Sequence, residues 1–355
     1  MSNKFRTALG ALTVVLALGL VGSVPAEGQG RPAHEGEKPP VGTKEWVPPR
    51  IAGGQPDLQG VWLNNKATPL ERPKALEGKP FLTDEEVADL KRRADRIFKD
   101  GNADIALGDT YFLTALANPE KYRSANGSQR SSVYQVEKEF DNRTSLIVDP
   151  PDGRIPASTP DAQQRRAASA AKDRAAAGPD DLNNNVRCIS PGLPRIGGTG
   201  GDPLYGYYQI FQSPGYVVLL METFHDARII PLDGRPHLPG RVRQWSGDSR
   251  GRWDGNTLLV DTTNFSPKSN FMGSAANLHL VERFTRTTSD TIRYEVTVDD
   301  PTTWVKPWTA VVHLKQLQAQ IFEYACHEGN TVPMLGILAG ARLAEEAPPA
   351  KKETK

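Results

Sequence analysis

Cysteine is scarce in this sequence, with two among 355 residues. That excludes a disulfide-rich miniprotein and a cysteine-rich zinc domain. A surplus of one charge is missing as well, since 43 Lys and Arg face 42 Asp and Glu. Without a basic surplus, nucleic-acid recognition by bulk charge is excluded, and no nucleic-acid partner is expected. Beyond the N-terminal stretch no apolar run reaches the roughly 20 residues a bilayer requires, so no integral membrane segment is expected in the mature chain. Several catalytic signatures are missing too: there is no H-E-x-x-H, G-x-x-x-x-G-K-[ST] or C-x-x-C. The histidines at 34, 225, 237, 279, 313 and 327 show no paired spacing, so neither a metal nor a cofactor is expected.

What the chain does have is glycine and proline, 32 and 29 residues, too many for a helical bundle and without collagen periodicity. Its start reads as a secretory signal peptide over 1–26. Lys4 and Arg6 form the positive region, Ala8 to Val21 the apolar region, and Val24-Pro25-Ala26 a small-residue cleavage site. Export implies a periplasmic or secreted location. In that oxidising setting Cys188 and Cys326 are expected to pair. A reactive thiol at Cys326, beside His327 and Glu328, is the alternative.

Residues 27–56, with Pro39-Pro40 and Pro48-Pro49, read as a flexible Pro/Gly-rich tether. A single domain is expected over 57–343, with an insertion over 64–144 and an Ala/Arg-rich segment over 160–182. A disordered tail over 344–355 ends the chain. Inside the insertion Thr83 and Glu86 form a capping box ahead of Val87, Leu90, Ala94, Ile97 and Phe98, and Gly101 stops the helix. A second, solvated helix is expected near Asp161 to Ala177, with Arg165 and Arg166 on its surface. The rest is strand and turn. Tyr207 to Gln212 meets Tyr216 to Glu222, and Gly251 to Trp253 meets Thr257 to Thr262 across an Asp254-Gly255 turn. His279 to Arg286 meets Ile292 to Val298. Phe224 to Pro231, Trp308 to Leu314 and Gln320 to Cys326 complete the set. Ile292, Tyr294, Val296 and Val298 alternate with Arg293, Glu295 and Thr297, giving one apolar and one polar face. Short connections imply antiparallel neighbours, and closure would remove the edges of so long a meander. The fold class is mainly β: an antiparallel meander closing into a barrel.

Gly60-Val61-Trp62, following Pro56-Asp57-Leu58-Gln59, resembles the G-x-W signature that opens lipocalin and related calycin barrels. The resemblance implies a tryptophan closing one barrel end and a glycine bending the first strand. The chain departs from that pattern in the long gap between Trp62 and the next strand at Ser145. The mature chain also resembles a group of uncharacterised exported bacterial proteins. Pro56 to Trp62, Arg143 to Pro156, Ile229 to His237, Trp245 to Phe265, Leu278 to Phe284 and Glu323 to Asn330 carry that likeness. It implies export and a single-family domain, with no assigned catalytic residues.

Two clusters could carry chemistry. On a strand, Glu222, Phe224, Asp226 and Arg228 would share one face, with His225 opposite. In a lumen, a carboxylate beside Arg could orient a polar ligand group; on the outer wall it would be an ion pair. Glu323 and His327 would share a strand face near the barrel mouth and, with His225, are the candidates for acid–base work. Trp62, Tyr294 and Trp308 would line a ligand cavity or fill a core. Three readings stand: a barrel binding a small, partly apolar molecule in its lumen through Trp62, Glu222, Asp226, Arg228, Tyr294 and Trp308; an enzyme of hydrolase or lyase type using Glu323, His327 and His225; and a structural or interaction protein of the envelope. The oligomeric state is left open.

Overall fold

A computed structural model of the chain describes residues 46–99, 101, 103–124, 138–174, 176–190, 192–196 and 206–346. The segment expected to be a signal peptide, the first part of the expected tether, the glycine-rich stretch 197–201 and the last residues from 347 lie outside the described residues. Ten strands form one antiparallel sheet: β1 (Gly60–Leu63), β2 (Ile147–Asp149), β3 (Tyr207–Ser213), β4 (Tyr216–Met221), β5 (Ala227–Pro231), β6 (Asp248–Asp254), β7 (Thr257–Thr263), β8 (His279–Thr288), β9 (Thr291–Asp299) and β10 (Trp308–Leu317). Their order is β5-β4-β3-β1-β10-β9-β8-β7-β6, with β2 paired to the outside of the path at β10. The first strand therefore closes against the last, and the meander curls into a nearly closed barrel.

The gap falls between β5 and β6. Along that path each neighbour reverses direction, so an odd number of strands leaves β5 and β6 pointing the same way. They lie side by side without a backbone ladder. Close approach replaces it: a Cβ on Gly251 would stand 2.8 Å from Ile230 Cγ2 and 2.6 Å from Leu232 Cδ2.

The alternation read in β9 holds. Ile292, Tyr294, Val296 and Val298 are buried in the barrel with Leu280, Glu282 and Phe284 of β8 and Trp308, Ala310, Val312 and Leu314 of β10. β10 is buried on both faces over its first half, because β2 and the insertion cover its outside. Arg143 fastens that cover, donating from Nη1 to the Val311 carbonyl at 2.8 Å.

The capped helix is present as α1 (Asp84–Phe98), with the Thr83–Glu86 capping box formed. It packs against α2 (Thr110–Ala117) through Phe98, Tyr111 and Phe112, a second apolar core beside the barrel. The Ala/Arg-rich helix is α3 (Pro160–Arg174). Its arginines are not idle surface. Arg165 donates to Thr302 O and Thr303 Oγ1, and Arg166 to Met272 O and Ser158 Oγ.

Several expectations need correction. The strand expected over Gln320 to Cys326 is irregular, since β10 ends at Leu317. Phe224 and His225 adopt positive φ of 61° and 49°, so Glu222 to Asp226 is a single 3-10 turn and β5 starts only at Ala227. The turn after β6 uses Gly255-Asn256 as its two central residues, with Gly255 alone at positive φ; Asp254 still pairs with Thr257. A fourth helix, α4 (Thr331–Glu346), runs past residue 344, where a tail was expected to begin. The stretch from Trp46 to Pro56, read as tether, lies against the barrel floor: Arg50 Nη2 donates to Asn256 Oδ1 at 2.8 Å.

Candidate functional site

The two ends of the barrel differ in chemistry. At the floor, Trp62 is fully buried and donates from Nε1 to the Leu58 carbonyl at 2.9 Å. The Arg286 guanidinium lies 5.3 Å above its ring and 5.9 Å from that of Trp46. Near the upper end, Trp308 is fully buried against Phe271 and Trp304 at 6.2 and 5.8 Å. Trp62 and Trp308 therefore fill the barrel rather than line an opening.

Of the two readings of the lumen aromatics, a ligand cavity or a filled core, Trp62 and Trp308 follow the second. Large side chains from neighbouring strands meet across the axis, as in other small barrels. What is left is a chamber of about 10 Å³ in the upper half. That is room for about one water-sized molecule. Its walls are Leu193, Leu219, Met221, Phe284 and Leu314 on the apolar side and Arg195, Tyr208, Arg228, Glu282 and Tyr294 on the polar side.

The polar side is built from strands and one loop. Arg228 of β5 reaches across the seam. Its Nη2 donates to Ser249 Oγ of β6 and Thr262 Oγ1 of β7, both at 3.1 Å, and it clasps Glu282 of β8 at 3.0 and 2.6 Å. Tyr294 donates its hydroxyl to Glu282 at 2.8 Å. Burial alone would lower the Arg228 pKa, but the Glu282 carboxylate reverses this and raises it. Burial, with Glu282 close by, raises the Tyr294 hydroxyl well above its ordinary value.

Arg195 is different. It is 7% exposed, yet Nε, Nη1 and Nη2 make no hydrogen bond with any described residue. Asp226 faces it at 3.5 Å, held by Ser190 and Ser246 hydroxyls at 3.3 and 3.0 Å. Burial lowers the Arg195 pKa against the opposing pull of Tyr208 and Asp226. A buried guanidinium whose described ionic partner stands at 3.5 Å carries a large desolvation cost with modest return.

The loop bearing Arg195 is anchored by the Cys188–Cys326 disulfide, whose Cα atoms are 5.7 Å apart across 138 residues of sequence. On the chain-entropy view such a bridge stabilises by about 5 kcal/mol. It ties the segment after β10 to the barrel mouth, where the Phe322 amide also donates to Glu222 Oε2 at 3.0 Å.

Of the residues proposed from sequence, Arg228 and Tyr294 line the chamber and Asp226 stands behind Arg195. Glu222 sits at the rim. His225, Glu323 and His327 are exposed and line no part of it. The shared strand face that was to pair Glu323 with His327 does not exist, because their segment is irregular. Tyr208 belongs to the aromatics open to lining a cavity or filling a core, whereas Arg195 and Glu282 were missed. Glu282 had a readable signal, a lone carboxylate between Leu280 and Phe284 on an apolar face. Arg195 had none, lying in a loop without periodicity.

A wider surface cleft of about 1240 Å³ lies between α3, residues 180–187 and residues 266–275. Arg165 and Arg166 on its wall are already committed to the contacts above. Among the described residues no three His, Cys, Asp or Glu side chains are grouped as metal ligands, and no helix is long and apolar enough to cross a membrane. The chain matches no protein-family model, no curated protein and no solved structure.

Proposed function

We propose that this chain is an exported binding barrel that takes the tip of a small, partly apolar molecule into its upper chamber. One observation carries the reading: Arg195 is buried at the chamber, with Asp226 at 3.5 Å and no hydrogen bond from its guanidinium nitrogens to any described residue. Leu219, Met221, Phe284 and Leu314 supply the apolar wall. Two guanidinium groups and two carboxylates already balance in charge, so the fitting group is a neutral hydrogen-bond acceptor such as a carbonyl or hydroxyl oxygen. A carboxylate ligand would add an uncompensated charge beside Asp226 and Glu282. The chamber as it stands is smaller than any such molecule, so binding requires one of its walls to open. The disulfide suits an oxidising compartment, as export requires. The likeness to lipocalin barrels extends this reading, since Trp62 sits at the floor under Arg286.

Differential scanning fluorimetry with neutral aromatic amides and lactones, and with benzoate as the charged counterpart, tests the proposal. Neutral members are expected to raise the melting temperature of the native chain and not of an Arg195→Met/Asp226→Asn double variant. No shift with any member, or equal shifts in both proteins, contradicts it. A second reading, a structural or interaction protein, is favoured by the packed lower lumen and by Phe211 and Ile229, exposed on the outer wall of β3 and β5. The acid–base reading has no such support, because Glu323, His327 and His225 line no part of the chamber.

A further inference from the structure

Because β5 and β6 run in the same direction, the chain must return between them. It does so through a strap over residues 232–247, fastened to the outer side of β6 and β7. None of the side chains from 233 to 247 is buried. Trp245 alone among the apolar side chains of that stretch is half-buried, and polar pins hold the rest. Arg250 Nε donates to Pro236 O at 3.0 Å, Asn264 Nδ2 to Leu238 O at 2.8 Å, and Arg243 Nη1 to Ala276 O at 2.5 Å.

One pin differs from these. His237 Nδ1 lies 2.9 Å from Asp248 Oδ2 of β6, and its Nε2 lies 2.8 Å from Asp261 Oδ1 of β7. A neutral imidazole carries one N–H and one lone pair. In either tautomer it would satisfy one carboxylate and turn a lone pair toward the other. Only the imidazolium donates to both.

We propose that His237 is a proton-operated latch: charged, it clips the strap to β6 and β7, and neutral, it lets one clip go. The surrounding charges fit that role. On β6, Asp248 also accepts from Arg250 Nη1 at 2.6 Å and from the Leu238 amide at 2.8 Å. On β7, Asp261 also faces His279 Nε2 of β8 at 2.9 Å. On the strap, Arg235 is occupied by Asp233, and Asp299 of β9 acts on His279 rather than on the latch. Both carboxylates thus keep a partner when His237 is neutral, so release strands no charge. The hydrogen bond to Asp261 raises the His279 pKa, with burial opposing it. At the far end of the strap, Ser246 holds Asp226, the partner of Arg195. Any consequence for the chamber rests on the binding proposal; the latch itself does not.

Hydrogen exchange of the full chain, normalised for intrinsic rates, tests the latch. Leu238, Val242 and Gln244 donate their backbone N–H groups to Asp248 Oδ2, Pro239 O and Asn264 O, so their exchange reports strap opening. Between about pH 5.5 and about pH 8 their protection is expected to fall about tenfold, as for loss of one charge-assisted bond. His237→Gln should show the low protection at both pH values, while the β8–β9 hairpin stays constant in both proteins. Equal strap protection at the two pH values, a pH dependence retained in His237→Gln, or a fall shared by the hairpin would each overturn the latch.

Discussion

The barrel wall from β8 to β10 and the seam between β5 and β6 solve the same problem by different means. From β8 to β10, backbone ladders run nearly unbroken, with every strand in register with its neighbour. At the seam no ladder forms, and side chains do the joining: Gly251 admits Ile230 and Leu232, and Arg228 bridges from β5 to β6, β7 and β8. Ladder bonds depend little on side-chain identity, so a ladder tolerates substitution. A seam made of side chains does not. The polar groups that close it are also the ones that build the chamber, which places the least forgiving chemistry of the fold beside the candidate site.

The sharpest way to break that contrast is Arg228→Met. It leaves Glu282, 1% exposed, without its cation. The expected cost in urea unfolding is about 3–5 kcal/mol. The Arg228→Met/Glu282→Gln pair should recover much of this, because both charges leave together. Gly251→Val should cost about 1–3 kcal/mol by forcing β5 away from β6. On the ladder wall, Arg283→Gln, on the outward face of β8 and 42% exposed, should stay within about 0.5 kcal/mol. The smallest effect concerns pH. The His279 pKa is raised in the fold above its usual 6.5, so its contribution is complete below that value and is lost as pH rises through the folded one. Asp261 is desolvated, yet its histidine partners hold it below the usual 3.8, so its contribution is lost as pH falls through the folded value. Stability measured against pH should therefore decline on both flanks in the native chain, and His279→Gln should lose the alkaline decline. An unchanged alkaline flank in that variant would remove His279 from the account.

Much of the wall was legible in the sequence and much of the seam was not. Alternation in Thr291–Asp299 is a local signal, readable residue by residue, and the capping box at Thr83 is equally local. Two cysteines in the whole sequence leave one intramolecular pairing. By contrast, β5 is short because Phe224 and His225 take the left-handed region, which no glycine announces. Helix α4 carries Pro333, Gly336 and Gly340, residues that read as irregular. Pro333 is tolerated in the first turn, and Met334 and Leu338 pack on Val186 and Leu182. The packing of the lumen depends on which large side chains meet across the barrel axis, and that is set by closure rather than by any single strand. Arg195 reaches the chamber from a loop, where no periodicity points inward.

The central claim is that Arg195 serves binding and not stability. Urea denaturation of the Arg195→Met/Asp226→Asn double variant tests it directly, since both charges of the pair leave together. The account predicts unfolding free energy within about 1 kcal/mol of the native chain, or above it, as for buried ion pairs replaced in full. A loss of about 3 kcal/mol or more would contradict it and make Arg195 part of the scaffold.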